Sequence, residues 1–247
     1  MTRFPIAAAW RETVRLTRRD LGTYLTLAGA FVMLPMMVVE VFGPQMPTKL
    51  ADIPPSLLLV QGVLALIGAL AQLSVARLVI VGGGARPALV HAAMVLPRLA
   101  IAAILTSLVL VPAVLLVQAG MRSQQVLVLF GLALLIPGIY GIARLALALP
   151  VLASRTVGPV AALQLSWVAT AGNAGRVLGF LGLMIAAMLG LTILAGGVAS
   201  ALGSVLTLMG GKALASFVVA LVSAAVATVY SVFNSVGLAV IYRRLIG

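Results

Sequence analysis

Apolar residues gather along this chain in six long blocks, at residues 21–43, 56–81, 92–118, 125–149, 174–200 and 213–242. At 1.5 Å per helical residue the first block reaches about 34 Å, enough to cross the roughly 30 Å hydrocarbon core of a bilayer with some tilt. The pattern predicts an all-α integral membrane protein of six transmembrane helices arranged as three hairpins. Punctuation between blocks agrees with this. Pro44, Pro47, Pro54 and Pro55 crowd the first connection, and Gly82-Gly83-Gly84 ends the second block. Pro35, inside the first block, predicts a bend there. The tract at residues 196–211, rich in Gly, Ser and Ala, leaves the approach to the sixth span open to a re-entrant or interfacial turn.

Shorter stretches that open on a proline and carry polar residues alternate with the blocks. Phe4-Pro5-Ile6-Ala7-Ala8-Ala9-Trp10 leads to Arg18-Arg19-Asp20, and Arg86-Pro87-Ala88-Leu89-Val90-His91 leads to Pro97-Arg98. The third and longest contains Pro159, Ser166-Trp167 and Gly172-Asn173. Proline is tolerated in a helix's first turn, where an N–H has no partner anyway. Each stretch therefore predicts a short interfacial helix feeding a hairpin, and the three together predict a pseudo-threefold repeat. The units are residues 4–81, 86–150 and 158–244 of a single domain covering 1–247. The outgoing helices carry the pattern Ser74-Val75-Ala76-Arg77-Leu78, Gly141-Ile142-Ala143-Arg144-Leu145 and Ser235-Val236-Gly237-Leu238-Ala239. Small residues at its first and third positions let backbones approach closely, so these helices are expected to meet near one axis.

Composition narrows the class further. With 63% apolar residues, 8% charged residues and a mean hydropathy of +1.26, the chain is far more apolar than a soluble core requires. Its formal charge of +12 comes mostly from single arginines at the ends of apolar blocks, which suits lipid phosphates and not nucleic acid. Of the 16 lysines and arginines, all but Lys49, Arg122 and Lys212 fall on the side of the N-terminus. The positive-inside bias then places both termini and the three interfacial helices in the cytoplasm. The apolar block behind residue 20 is longer than a signal-peptide core and lacks a small-residue cleavage site, so it is expected to remain as a span. Cysteine is absent, which excludes disulfides and thiolate chemistry; a single histidine and four acids leave no material for a metal cluster or a carboxylate dyad. No cofactor is expected.

Candidate polar positions follow from depth. Arg77 and Arg144 lie several residues inside their spans. They either snorkel to the interface or converge on a cytoplasm-facing groove that takes an anionic lipid headgroup, since no acid lies at that depth to pair with them. Gln72, Tyr140 and Asn234 would line the same groove, with Leu238 leaving one side less charged. Gln61, Gln72, Gln118 and Asn234 read as interhelical hydrogen-bond donors in preference to substrate ligands. Glu40 is either a proton or cation site, or an ordinary carboxylate at the outer interface. His91, without a second ligand, is no metal site. Trp10 and Trp167 read as interfacial anchors.

Pro137-Gly138-Ile139-Tyr140, Arg144, Pro150, Gly158, Ala162-Leu163, Ser166-Trp167, Gly172-Asn173 and Gly179 resemble the glycerophosphoryl diester phosphodiesterase membrane-domain family and related bacterial inner-membrane proteins of unknown function. The resemblance covers residues 134–182 and implies a multi-pass domain of the bacterial inner membrane. Some family members fuse that domain to a soluble phosphodiesterase; no such domain fits into this chain, so enzymatic activity is not expected. The expectation is a non-catalytic, lipid-interacting scaffold or accessory protein of the cell envelope, with membrane phospholipid as partner and any protein partner unidentified. A small transporter or channel is the alternative, and an intramembrane enzyme is disfavoured by the lack of a usable base.

Overall fold

A computed structural model describes residues 5–43 and 54–246, with the side chains of Arg122 and Ser123 left aside; the described residues form helices joined by short turns. The sequence expectations for Phe4, Pro44, Pro47, Lys49 and Asp52 lie outside them. Helix α1, Ile6–Arg19, buries Ala9, Thr13 and Leu16, spaced four and three apart. The same spacing puts Arg11, Arg15 and Arg18 on the exposed face, so α1 is amphipathic along its whole length. At Asp20 the chain turns into α2, Leu21–Phe42.

Pro35 does not simply bend α2. It has no N–H to offer the Phe31 carbonyl, and its ring crowds that oxygen. The helix widens just ahead of it into a π turn, Gly29–Met33, in which the Leu34 N–H donates to the Gly29 carbonyl five residues back. Helix α3 spans Pro55–Ile80 and α4 spans Ala85–Ser107. Between them Gly82 and Gly83 adopt φ of 78° and 89°, a left-handed turn that a side chain would strain. Then follow α5, Val111–Ser123; α6, Gln125–Leu145; α7, Ala148–Ser154; α8, Pro159–Ala169; α9, Ala174–Leu208; and α10, Lys212–Ile246.

Six helical stretches are long and apolar enough to cross a membrane: Leu21–Phe42, Pro55–Ile80, Ala85–Ser107, Gln125–Ser154, Ala174–Leu208 and Lys212–Ile246. Only 11% to 28% of each best window is buried within the molecule, so most of the apolar surface faces outward and needs a hydrocarbon solvent to cover it.

Further expectations need correction. The third span is not continuous from 92 to 118. It breaks at Leu108–Leu110, because Pro112 cannot supply an N–H to the Leu108 carbonyl, and α5 then runs on as a separate helix. Nor does Pro87 open an interfacial helix of its own, since residues 85–107 form one helix with Pro87 in its first turn. The fourth span covers the expected 125–149 and runs on to Ser154, but it is interrupted at Ala146–Leu147, one turn ahead of Pro150, where α6 ends and α7 begins. Finally, most of residues 196–211 is not a turn. Helix α9 persists to Leu208, and only Met209–Gly211 reverse the chain, with Gly210 at φ 84°.

Helix α10 is the spine of the molecule, packed against α1, α2, α3, α7 and α9. Phe180, Val177, Leu73, Val236, Val240 and Ile241 are fully buried around it. The small residues Ser74, Ala76, Gly141, Ala143, Ser235 and Gly237 are all buried, as close packing in a membrane requires. A Cβ on Gly237 would sit 2.9 Å from the Met184 Sδ and 3.1 Å from Phe180. Helices α3 and α10 touch directly, whereas α6 packs on α5 and α9, and its continuation α7 packs on both α3 and α10. Trp10 is half-buried and packs edge-on against Phe180 and Phe233, with ring centroids 6.4 Å and 5.1 Å away, at the edge of the core.

Candidate functional site

The last carbonyls of a helix have no partner within it, and the negative end of the helix dipole attracts cations. At the end of α7 those carbonyls are taken by side chains from two neighbouring helices. Arg77 Nη1 on α3 donates to the Ala153 carbonyl at 2.9 Å, and His91 Nε2 on α4 lies 3.1 Å from the Leu152 carbonyl. Since a carbonyl can only accept, His91 is protonated at Nε2 in this geometry. In the same turn, the Ser154 hydroxyl lies 2.9 Å from that of Tyr242 on α10.

Arg144 serves a different helix end. Its Nη2 donates to the Trp167 carbonyl at 2.5 Å in the last turn of α8, and its Nη1 donates to the Tyr140 hydroxyl at 3.1 Å. The guanidinium carbon stands 4.3 Å from the Trp167 ring centroid, a cation–π contact, and the residue is only 8% exposed. Ser166 completes the junction. Its hydroxyl donates to the Arg144 carbonyl at 2.8 Å and accepts from the Leu147 N–H at 3.1 Å, supplying partners for backbone groups at the gap between α6 and α7. Thr170 Oγ1 adds a contact to the same Arg144 carbonyl at 3.1 Å. Buried Arg144 Nε and Asn173 Oδ1 have no protein partner there.

The two arginines singled out by sequence thus serve separate helix ends, and Arg144 is enclosed by protein. Tyr140 belongs to the Arg144 cluster. Gln72 and Asn234 are half-buried on α3 and α10, which pack together, and Leu238 is buried in the core. What gathers beside Arg77 is instead Arg86 and His91, in a groove of about 440 Å³ whose other walls are Pro87, Val90 and Met94. Arg86 and Val90 are four residues apart, as are Pro87 and His91. That spacing is visible in the sequence once residues 85–107 are read as one helix. A second basic recess of about 370 Å³ lies between Arg155, Tyr242 and Arg243.

Two ion pairs frame this end. Arg244 grips Glu12 with Nε at 2.9 Å and Nη2 at 2.5 Å, tying α1 to the end of α10 with both partners partly buried. Arg19 pairs with Asp20 at 2.8 Å on the surface, and the hydrogen bond and charge of Asp20 raise the Arg19 pKa from its ordinary value. Among the described residues no three His, Cys, Asp or Glu side chains gather as metal ligands would.

No family model, no curated protein and no solved structure matches this chain.

Proposed function

We propose that this is a non-catalytic, multi-pass protein of the bacterial inner membrane, with both termini in the cytoplasm, that holds anionic phospholipid as a scaffold or accessory protein of the envelope. The groove formed by Arg77, Arg86 and His91 carries the reading. It combines cationic donors with apolar walls of Val90 and Met94, the pairing that suits a phosphate-bearing headgroup at the foot of an acyl chain. Arg77 commits one of its five N–H donors to Ala153, and Arg86 is exposed at the mouth. The outward arginines of α1 lie at the same end of the molecule, since Glu12 beside them pairs with Arg244 and Arg77 closes the neighbouring helix end. On this reading α1 and α8 lie along the cytoplasmic interface and the spans form three hairpins.

Native mass spectrometry in gentle detergent tests the proposal, with phosphatidylglycerol and phosphatidylcholine supplied in equal amounts. The wild type should retain the anionic lipid preferentially, and Arg86→Gln should lower that preference about fivefold, the worth of one partly screened ion pair. Arg86→Gln is the informative variant because Arg77 also holds α7. Equal retention of the two lipids by the wild type, or an unchanged preference in the variant, would overturn the reading.

A further inference from the structure

The opposite end of the bundle holds a second, chemically different opening. Glu40 lies in the last turn of α2 and borders two grooves at once. One, of about 580 Å³, runs between α2 and α3, walled by Phe31, Val32, Met36, Leu57 and Leu64, with Gln61 as its other polar side chain. From Glu40 down to Phe31 it extends about 14 Å along the helix, a length suited to much of an acyl chain. The π turn ahead of Pro35 places Phe31 and Val32 at its floor. The second groove, of about 740 Å³, lies against α9 and α10 and is lined by Ser200, Ser204, Thr207 and Ser216.

Three of those hydroxyls are oriented by their own helices. Ser204 donates to the Ser200 carbonyl at 2.8 Å, Thr207 to the Gly203 carbonyl at 2.7 Å and Ser216 to the Lys212 carbonyl at 3.2 Å. With its one proton so used, each oxygen has only acceptor capacity left. Glu40, when ionised, is likewise acceptor-only. A groove that offers a carboxylate and several accepting oxygens selects a cation rich in N–H donors. A primary ammonium has three; a quaternary ammonium has none. The adjoining apolar furrow adds room for a hydrocarbon tail.

We infer that Glu40 and the hydroxyls of Ser204, Thr207 and Ser216 bind the ammonium headgroup of an aminophospholipid, with one acyl chain lying in the α2–α3 furrow. The zwitterionic lipid fits better than a soluble amine because the headgroup groove and the tail furrow meet at the same carboxylate. This site is independent of the arginine groove at the other end.

The test is native mass spectrometry of the full chain with phosphatidylethanolamine and phosphatidylcholine of identical acyl chains, which differ only in the methylation of the ammonium. The wild type should retain phosphatidylethanolamine about fivefold over phosphatidylcholine. Glu40→Gln should abolish that preference, Glu40→Asp should keep part of it, and Arg86→Gln should leave it unchanged. Equal retention of both lipids by the wild type overturns the proposal, as does a preference that survives Glu40→Gln. Dodecylammonium binding without any preference for phosphatidylethanolamine would also overturn it, by assigning the groove to a free amine. Thermal melting of each variant guards against misfolding, and Glu40→Asp keeps the test open should Glu40→Gln prove unstable.

Discussion

The two ends of the bundle use similar polar side chains in opposite ways. At the arginine-rich end, Arg77, His91, Arg144 and Ser166 each reach across to a carbonyl of another helix, and Arg244 reaches Glu12. At the Glu40 end, Ser204, Thr207 and Ser216 bond back to their own helix four residues earlier. The first pattern joins helices; the second satisfies a hydroxyl without joining anything and leaves a groove lined with spare acceptors. Broken helices explain the division. The breaks around Ala146–Leu147 and after Ser154 and Ala169 expose backbone carbonyls at one end, whereas α9 and α10 run unbroken for 35 residues each toward the other. An interrupted helix creates demand for cross-links, and a continuous one does not.

This contrast can be broken by substitution. Arg144→Leu should have the largest effect, because it strips the donor from the Trp167 carbonyl and the Tyr140 hydroxyl and removes the cation from the Trp167 ring; about 3 kcal/mol is expected. Thermal unfolding in detergent should show a clear fall in midpoint, and an unchanged midpoint would mean that the junction contributes nothing to stability. Gly131→Ala should come next. Its Cβ would stand 2.6 Å from Val117 Cγ2 and 2.8 Å from the Val117 nitrogen, so α5 and α6 must separate, at about 1 to 3 kcal/mol. A cysteine pair placed across these two helices would then cross-link more slowly than in the parent.

The smallest effect belongs to the other end. Ser204→Ala should change the stability read from thermal melting by under about 0.5 kcal/mol, because its hydroxyl bonds only within α9 and the residue is exposed. Ser166→Ala, the matched change at the arginine end, leaves the Leu147 N–H without its partner and should cost about 1 to 2 kcal/mol. If the two serine variants melt together, the contrast between the ends has no energetic content.

Six spans were legible in the sequence because hydropathy is a property of each segment alone: a run of about 20 apolar residues prefers hydrocarbon whichever neighbour it finds. Small residues in the outgoing helices announced close packing for the same local reason, and Ser74, Ala76, Gly141 and Ala143 are indeed buried. Helix breaks were only half legible. Pro35, Pro112 and Pro150 each remove a hydrogen bond, but whether the chain answers with a π turn, a gap or a fresh helix depends on what surrounds it. The arginines were the least legible of all. Sequence placed Arg77 and Arg144 at equal depth and passed over Arg86, yet depth says nothing about which neighbour presents a free carbonyl. Only the tertiary structure brings Ala153 to Arg77, Trp167 to Arg144 and Arg86 to the open mouth, because a buried polar group is satisfied by whatever partner the packing delivers, and packing is decided by the whole chain at once.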